Sequence, residues 1–319
     1  MRVAALIALL VGLAAAHLLL PYDLLLELKA REPQLYWTVL GELRLPRTLL
    51  VLGYGAALGI SGAALQALFA NPLASPDISG ASSGAALGAV LGMYWLAVED
   101  PLALAASGAA GAIIVLVTLF LLAGRRADPG TLLLAGIALS LAAGAATSLA
   151  LALAPSPFAF YDAFDWLMGS FVDRSLPQAA AALIPAGLAC LLLLRRSAAL
   201  DLLALGDDVA SSLGIRPRRL AIEVIALTAV AVGACVSVCG AIGFIGLVAP
   251  VIARASVRGH PGRALAPAGV LGAVLLCLSD LAVREIPLDR PLPVGVVTAL
   301  LGTPLFLWLV VRMRRGIAT

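Results

Sequence analysis

The residues that could do chemistry in this chain are few and far apart. Only two histidines occur, His17 in an apolar run and His260 in a basic loop, and four cysteines, Cys190, Cys235, Cys239 and Cys277, all inside apolar runs. Cys235 and Cys239 are one helical turn apart. Without a neighbouring histidine or carboxylate they read as small buried apolar side chains and not as a zinc pair. A phosphate-binding loop needs Gly-Lys-Ser/Thr, and the one lysine, Lys29, sits in Glu27-Leu-Lys-Ala-Arg-Glu32. No Ser-His-Asp arrangement is visible. The chain is therefore expected to make no covalent bond, and any ATP hydrolysis is expected on another polypeptide.

Two acids lie near the ends of apolar runs, where a charge needs a partner. Asp280 and Arg284 are four residues apart, the spacing of a local helical ion pair. Glu223 is four residues from Arg219 and is expected to pair with it or to snorkel, not to relay protons.

The elements that carry these residues are membrane helices. The 319 residues are 62% hydrophobic and 12% charged, with mean hydropathy +1.07, against about 25% charged in soluble domains. The apolar runs are helix-length, not the roughly ten-residue segments of a membrane barrel. Ten spans are expected, at 2–20, 46–70, 84–98, 101–123, 131–154, 177–194, 219–239, 246–256, 264–284 and 295–311. The third and eighth are short for a bilayer, as segments buried in protein or lining a cavity can be. The fold class is an all-α polytopic membrane protein, one transmembrane domain over 1–319.

An even span count puts both termini on one side. Fourteen of the 21 basic residues fall there, Arg125, Arg126, Arg195, Arg196, Arg216, Arg218 and Arg219 among them, and seven opposite, including Arg44, Arg47, Arg174, Arg284 and Arg290. The positive-inside rule makes the terminal side cytoplasmic. Net charge +3 reflects this topology and implies no nucleic-acid partner. Arg2, the apolar run after it and Ala14-Ala15-Ala16 resemble a secretory signal. An uncleaved first helix is the simpler account.

Two loops and one helix stand out. Residues 195–218 read as two short helices broken at Gly206, with Asp201 and Asp207 as N-caps and Gly206 and Gly214 as C-terminal glycines. They form either an amphipathic connector or a rigid lever. In the fifth span Gly136, Ser140, Gly144 and Ser148 recur every four residues, which lets helices approach closely. Tyr161, Asp162, Phe164, Asp165 and Trp166 follow in an outer loop.

Seven motifs in order carry a resemblance from about residue 40 to 311. They are Arg44-Leu-Pro-Arg47, Ser61-Gly62 through Gln66, Asn71-Pro-Leu-Ala74, Leu132 through Gly136, Leu202 through Gly214, Gly240 through Pro250, and Pro293-Val-Gly295 with Gly302 through Phe306. Together they resemble the permease subunits of ATP-driven importers for iron-siderophores, haem and vitamin B12, of the type II fold. Val251 and Pro291 depart from the usual His and Glu, which bears on the cargo and not on the family.

The resemblance implies a bacterial inner-membrane homodimer, two ABC ATPase subunits carrying ATP and Mg, and a periplasmic substrate-binding protein. No cofactor is implied on this chain. By it, Arg44, Arg47 and Arg284 receive carboxylates of the binding protein. Snorkelling, or pairing of Arg44 with Glu42, is the alternative from the residues alone. Asp201, Leu205, Gly206, Asp207, Asp208, Ser211, Leu213 and Gly214 couple to the ATPase. Gly136, Ser140, Gly144, Thr147 and Ser148 line the pathway, and the aromatic outer loop joins the gate or the docking surface. A ferric siderophore leads as cargo, with cobalamin and haem open. An ion-coupled secondary transporter, needing intramembrane acids, and an intramembrane enzyme are the rivals.

Overall fold

The computed structural model describes residues 3–124, 129–285 and 292–317. Arg2, Arg125, Arg126, Arg290 and Pro291 lie outside them. The described residues are helical throughout, with no strand. In chain order, α1 spans Val3–Leu19, α2 Tyr22–Arg31 and α3 Pro33–Thr38. A π-helical stretch, Val39–Arg44, runs without a break into α4, Leu45–Leu68. A 3-10 turn, Pro76–Ser79, precedes α5, Ala81–Trp95. Then come α6 (Pro101–Ala123), α7 (Pro129–Ala152), α8 (Pro157–Leu167), α9 (Leu176–Arg195), α10 (Ser197–Leu203), α11 (Asp207–Ser212), α12 (Pro217–Cys239), α13 (Ile245–Ser256), α14 (Leu265–Glu285) and α15 (Val294–Ile317).

Six of the described helices are long and apolar enough to cross a membrane: Pro33–Leu68, Pro101–Ala123, Pro129–Ala152, Leu176–Arg195, Pro217–Cys239 and Leu265–Arg284. Of the other expected spans, the first, third and eighth are shorter, α1 having 17 residues, while the tenth falls in the 24-residue α15. α5 and α13, the two expected to be short, have 15 and 12 residues. The count of ten crossings is thus not established by helix length.

The helices start where the sequence supplies caps. Asp100 accepts from the Ala103 amide, and Ser156 accepts from that of Ala159. Ser175 and Gln178 form a reciprocal capping box at the head of α9. Each of these helices has proline in its first turn, where no amide hydrogen is needed. The π-helical stretch has a local cause. Pro46 has no amide hydrogen for the carbonyl a turn earlier and its ring crowds that position, so the helix widens just before it. The outer loop carrying Tyr161 and Phe164 is itself a helix, α8. It buries Ala163 and Trp166 while Tyr161 and Phe164 stay exposed.

Glycines set the closest helix contacts. A methyl group on Gly59 of α4 would run into the Ala268 carbonyl of α14, and one on Gly272 of α14 into the Gly55 carbonyl. α5 and α6 meet in the same way, Gly84 and Gly88 against Ser107 and Gly111. Lipid offers no hydrophobic drive between helices, so this backbone approach and its dispersion contacts hold the bundle. The core runs through α4, α12, α13 and α14, and the four cysteines are buried and free.

Candidate functional site: a buried ion cluster, a paired-helix loop and an open helix face

Three helices place four ionisable side chains together at one end of the bundle. Asp280 of α14 is fully buried. Arg47 of α4 donates to it from Nε and Nη2, each at 2.9 Å, in a bidentate pair. His17 of α1, also fully buried, places Nε2 2.8 Å from Asp280 Oδ2 and Nδ1 2.8 Å from Thr48 Oγ1. Arg284 lies over the imidazole, its Nη2 3.3 and 3.1 Å from the two ring nitrogens, and donates from Nη1 to the His17 carbonyl at 2.9 Å. The Thr48 hydroxyl also donates to the Arg44 carbonyl at 2.8 Å, so Asp280, the His17 ring, Thr48 and the α4 main chain form one chain of hydrogen bonds.

The expected i,i+4 ion pair of Asp280 with Arg284 is present, at 3.3 Å, and two shorter partners that the sequence did not indicate, Arg47 and His17, join it. Arg44 does not pair with Glu42. It donates from Nη1 to the Leu18 carbonyl at 3.2 Å. Little of the three arginines reaches the surface: Arg44 is 9% exposed, and the Arg47 and Arg284 side chains 18% and 16%. Arg47 and Arg284 share the one carboxylate of Asp280, so the cluster keeps a net positive charge. His17 and Thr48 were not marked by any motif. The available signal was that His17 and Asp280 are polar residues stranded in apolar runs, each needing a partner.

The loop between α9 and α12 folds as two short helices, as expected, but with different capping. Asp201 is inside α10, not at its start. Its Oδ1 accepts from the Gly262 amide at 2.8 Å, which fastens the loop to the α13–α14 connection. Asp207 opens α11 without a side-chain cap, and Gly206 precedes it at φ 105°, ψ 153°, a region essentially reserved for glycine. Gly214, at φ 86°, ends α11 in a Schellman motif. Ile215 N donates to the Ala210 carbonyl and Gly214 N to that of Ser211, both at 3.0 Å. Leu200, Leu203 and Ala210 are buried beneath the pair, while Leu205, Val209 and Leu213 project outward beside Asp207 and Asp208. The hydroxyl-bearing Ser211 is also on the exposed side.

The small residues of α7 do not share one environment. Gly136 and Thr147 are buried. Ser140 is half-buried, its hydroxyl donating to the Asp77 carbonyl at 2.8 Å, and Gly144 and Ser148 are exposed. Four residues advance slightly more than one turn of 3.6. A four-residue repeat therefore rotates steadily from the buried side to the open one. Around Gly144 there is no other atom within 4 Å of an added methyl group. At the opposite end of the bundle from His17, Glu223 pairs with Arg219 at 3.0 Å, as expected, and also with Arg196 at 2.9 Å.

The chain belongs to the FecCD transport family, whose match covers residues 3–312. It is similar to the vitamin B12 import system permease proteins BtuC of Citrobacter koseri and Salmonella typhimurium. Both are 38% identical, the first over 281 residues covering 86% of this chain and 83% of that one, the second over 296 residues covering 90% and 87%. Its fold superposes on a metal-chelate type ABC transporter in an inward-facing conformation with TM-score 0.85 and 31% identity, covering 97% of this chain and 98% of that one.

Proposed function

We propose that the chain is the permease subunit of an ATP-driven importer in the bacterial inner membrane, with both termini cytoplasmic, and that it works as a homodimer. Separate ATPase subunits, carrying ATP and Mg, engage α10 and α11, and a periplasmic binding protein docks at the opposite face. The observation that carries this reading is the two-helix loop. Its inner face is buried and its outer edge presents Leu205, Val209 and Leu213 with two aspartates, an exposed apolar patch of the kind that marks a protein contact. At the other face the cation excess of Arg44, Arg47 and Arg284 suits carboxylates of a docking protein.

The cargo we assign is a corrinoid of the vitamin B12 type, on the strength of the relatives' names. This replaces the ferric siderophore as the leading cargo. Secondary transport would need an acid free to change partners, and Asp280 is held by Arg47 in two bonds. The test is uptake into proteoliposomes carrying permease, ATPase and binding protein, with labelled cobalamin and a ferric siderophore offered in parallel. ATP-dependent cobalamin entry supports the reading. Siderophore entry alone would overturn the cargo, and ATP-independent entry the mechanism.

A further inference from the structure

We propose that the arginine-lined cleft between the end of α9 and the start of α12 binds the phosphate headgroup of an anionic phospholipid. The cleft has a volume of about 400 Å³ and is lined by Arg196, Ala199, Ile215, Arg216, Arg219 and Glu223, among others. That size is in the range of about 300–1,000 Å³ for sites that hold small ligands.

Its charge is unbalanced and its geometry is fixed. Glu223 gives one carboxylate oxygen to Arg196, at 2.9 Å, and the other to Arg219, at 3.0 Å. One acid thus sets the spacing of two guanidinium groups that come from opposite sides of the cleft. The Arg216 side chain makes no hydrogen bond or ion pair with another described residue. Three cations against one anion leave a doubly positive cleft whose free donors match a phosphodiester.

The surroundings select a lipid over a free anion. One to two turns further into α9, Leu188, Leu191 and Leu192 are exposed. α9 is long and apolar enough to span the membrane, so these leucines face acyl chains immediately inside the interface. Basic pockets between helices at this depth are where anionic headgroups bind. The proposal rests on the membrane placement of α9 and α12 and is independent of the cargo.

The experiment is native mass spectrometry of the permease–ATPase complex released from nanodiscs of phosphatidylglycerol and phosphatidylcholine. We expect phosphatidylglycerol to be retained in preference to phosphatidylcholine. Arg196→Gln and Arg216→Gln should each weaken its retention about fivefold, while Arg195→Gln leaves it unchanged. Should the Arg196 variant fail to assemble, Arg216→Gln, which breaks no internal bond, carries the test. Equal retention of the two lipids, or full retention in Arg216→Gln, overturns the proposal. Displacement of the lipid by millimolar inorganic phosphate would make the cleft a free-anion site. Retention by the permease alone but not by the complex would make it an ATPase contact. Either result overturns the lipid assignment, and none of these readouts depends on transport.

Discussion

His17 and Asp280 are 263 residues apart in sequence and 2.8 Å apart in the fold. Their bond joins α1 to α14, and Arg47 adds α4 to the same carboxylate. Removing one partner of a buried ion pair costs about 3–5 kcal/mol, because the remaining charge is left uncompensated. Asp280→Ala should lose that much, with Arg47 and Arg284 left facing one another. His17→Ala should lose less, about 1–3 kcal/mol, the penalty of leaving buried polar partners unsatisfied. Thermal unfolding of the purified permease in detergent measures both. Equal melting temperatures for the two variants would contradict the ranking.

Docking is best probed at Arg44, whose side chain, among the described residues, bonds only to a main-chain carbonyl. Arg47→Glu would disturb the cluster as well as the surface. Arg44→Gln should weaken association with the binding protein, and raised ionic strength should mimic it. Surface plasmon resonance at two salt concentrations reads the effect. Unchanged binding at both would remove Arg44 from the docking face.

At the loop, Gly206→Pro forces φ near −65° on a residue that stands at 105°. The permease should still insert, but uptake and ATPase co-purification should be lost. Asp207→Lys should spare the loop's fold and lower ATPase binding alone. Wild-type uptake by both variants would show that the loop transmits nothing.

On α7, Gly144→Trp points into open space and should leave the chain folded while blocking uptake. Gly136→Trp enters a buried position and should prevent assembly. Gel filtration followed by vesicle uptake separates the two outcomes.

Gly59→Leu should sharply reduce the folded yield. Its side chain would meet the Ala268 main chain of α14, which cannot step aside as a side chain can. Fluorescence-detected gel filtration checks this, with Gly187→Leu, where nothing lies within 4 Å, as the control.

The membrane class, the two-helix loop and the Glu223–Arg219 pair were legible because each rests on local pattern: apolar run length, a glycine at a break, a four-residue spacing. The His17–Asp280–Arg47 cluster was not, because which stranded polar residue meets which is settled by helix packing. Asp201 illustrates the same limit. An aspartate ahead of a short apolar run is an N-cap by pattern, yet the nearby Gly262 amide claims it. The α7 repeat was read as one stripe, although a four-residue period drifts around a 3.6-residue helix.

The Asp201–Gly262 bond gives α14 a mechanical duty. It fixes the root of the two-helix loop to the segment just ahead of Leu265, and 15 residues after Leu265 the same helix has carried Asp280 to the ion cluster. That stretch is a rod about 23 Å long, tied to the loop by the Asp201–Gly262 hydrogen bond and to α1 and α4 by His17 and Arg47. The same helix packs against α4 between those two ties, Ala268 on Gly59 and Gly272 on Gly55, so the loop's anchor and the ion cluster belong to one rigid seam.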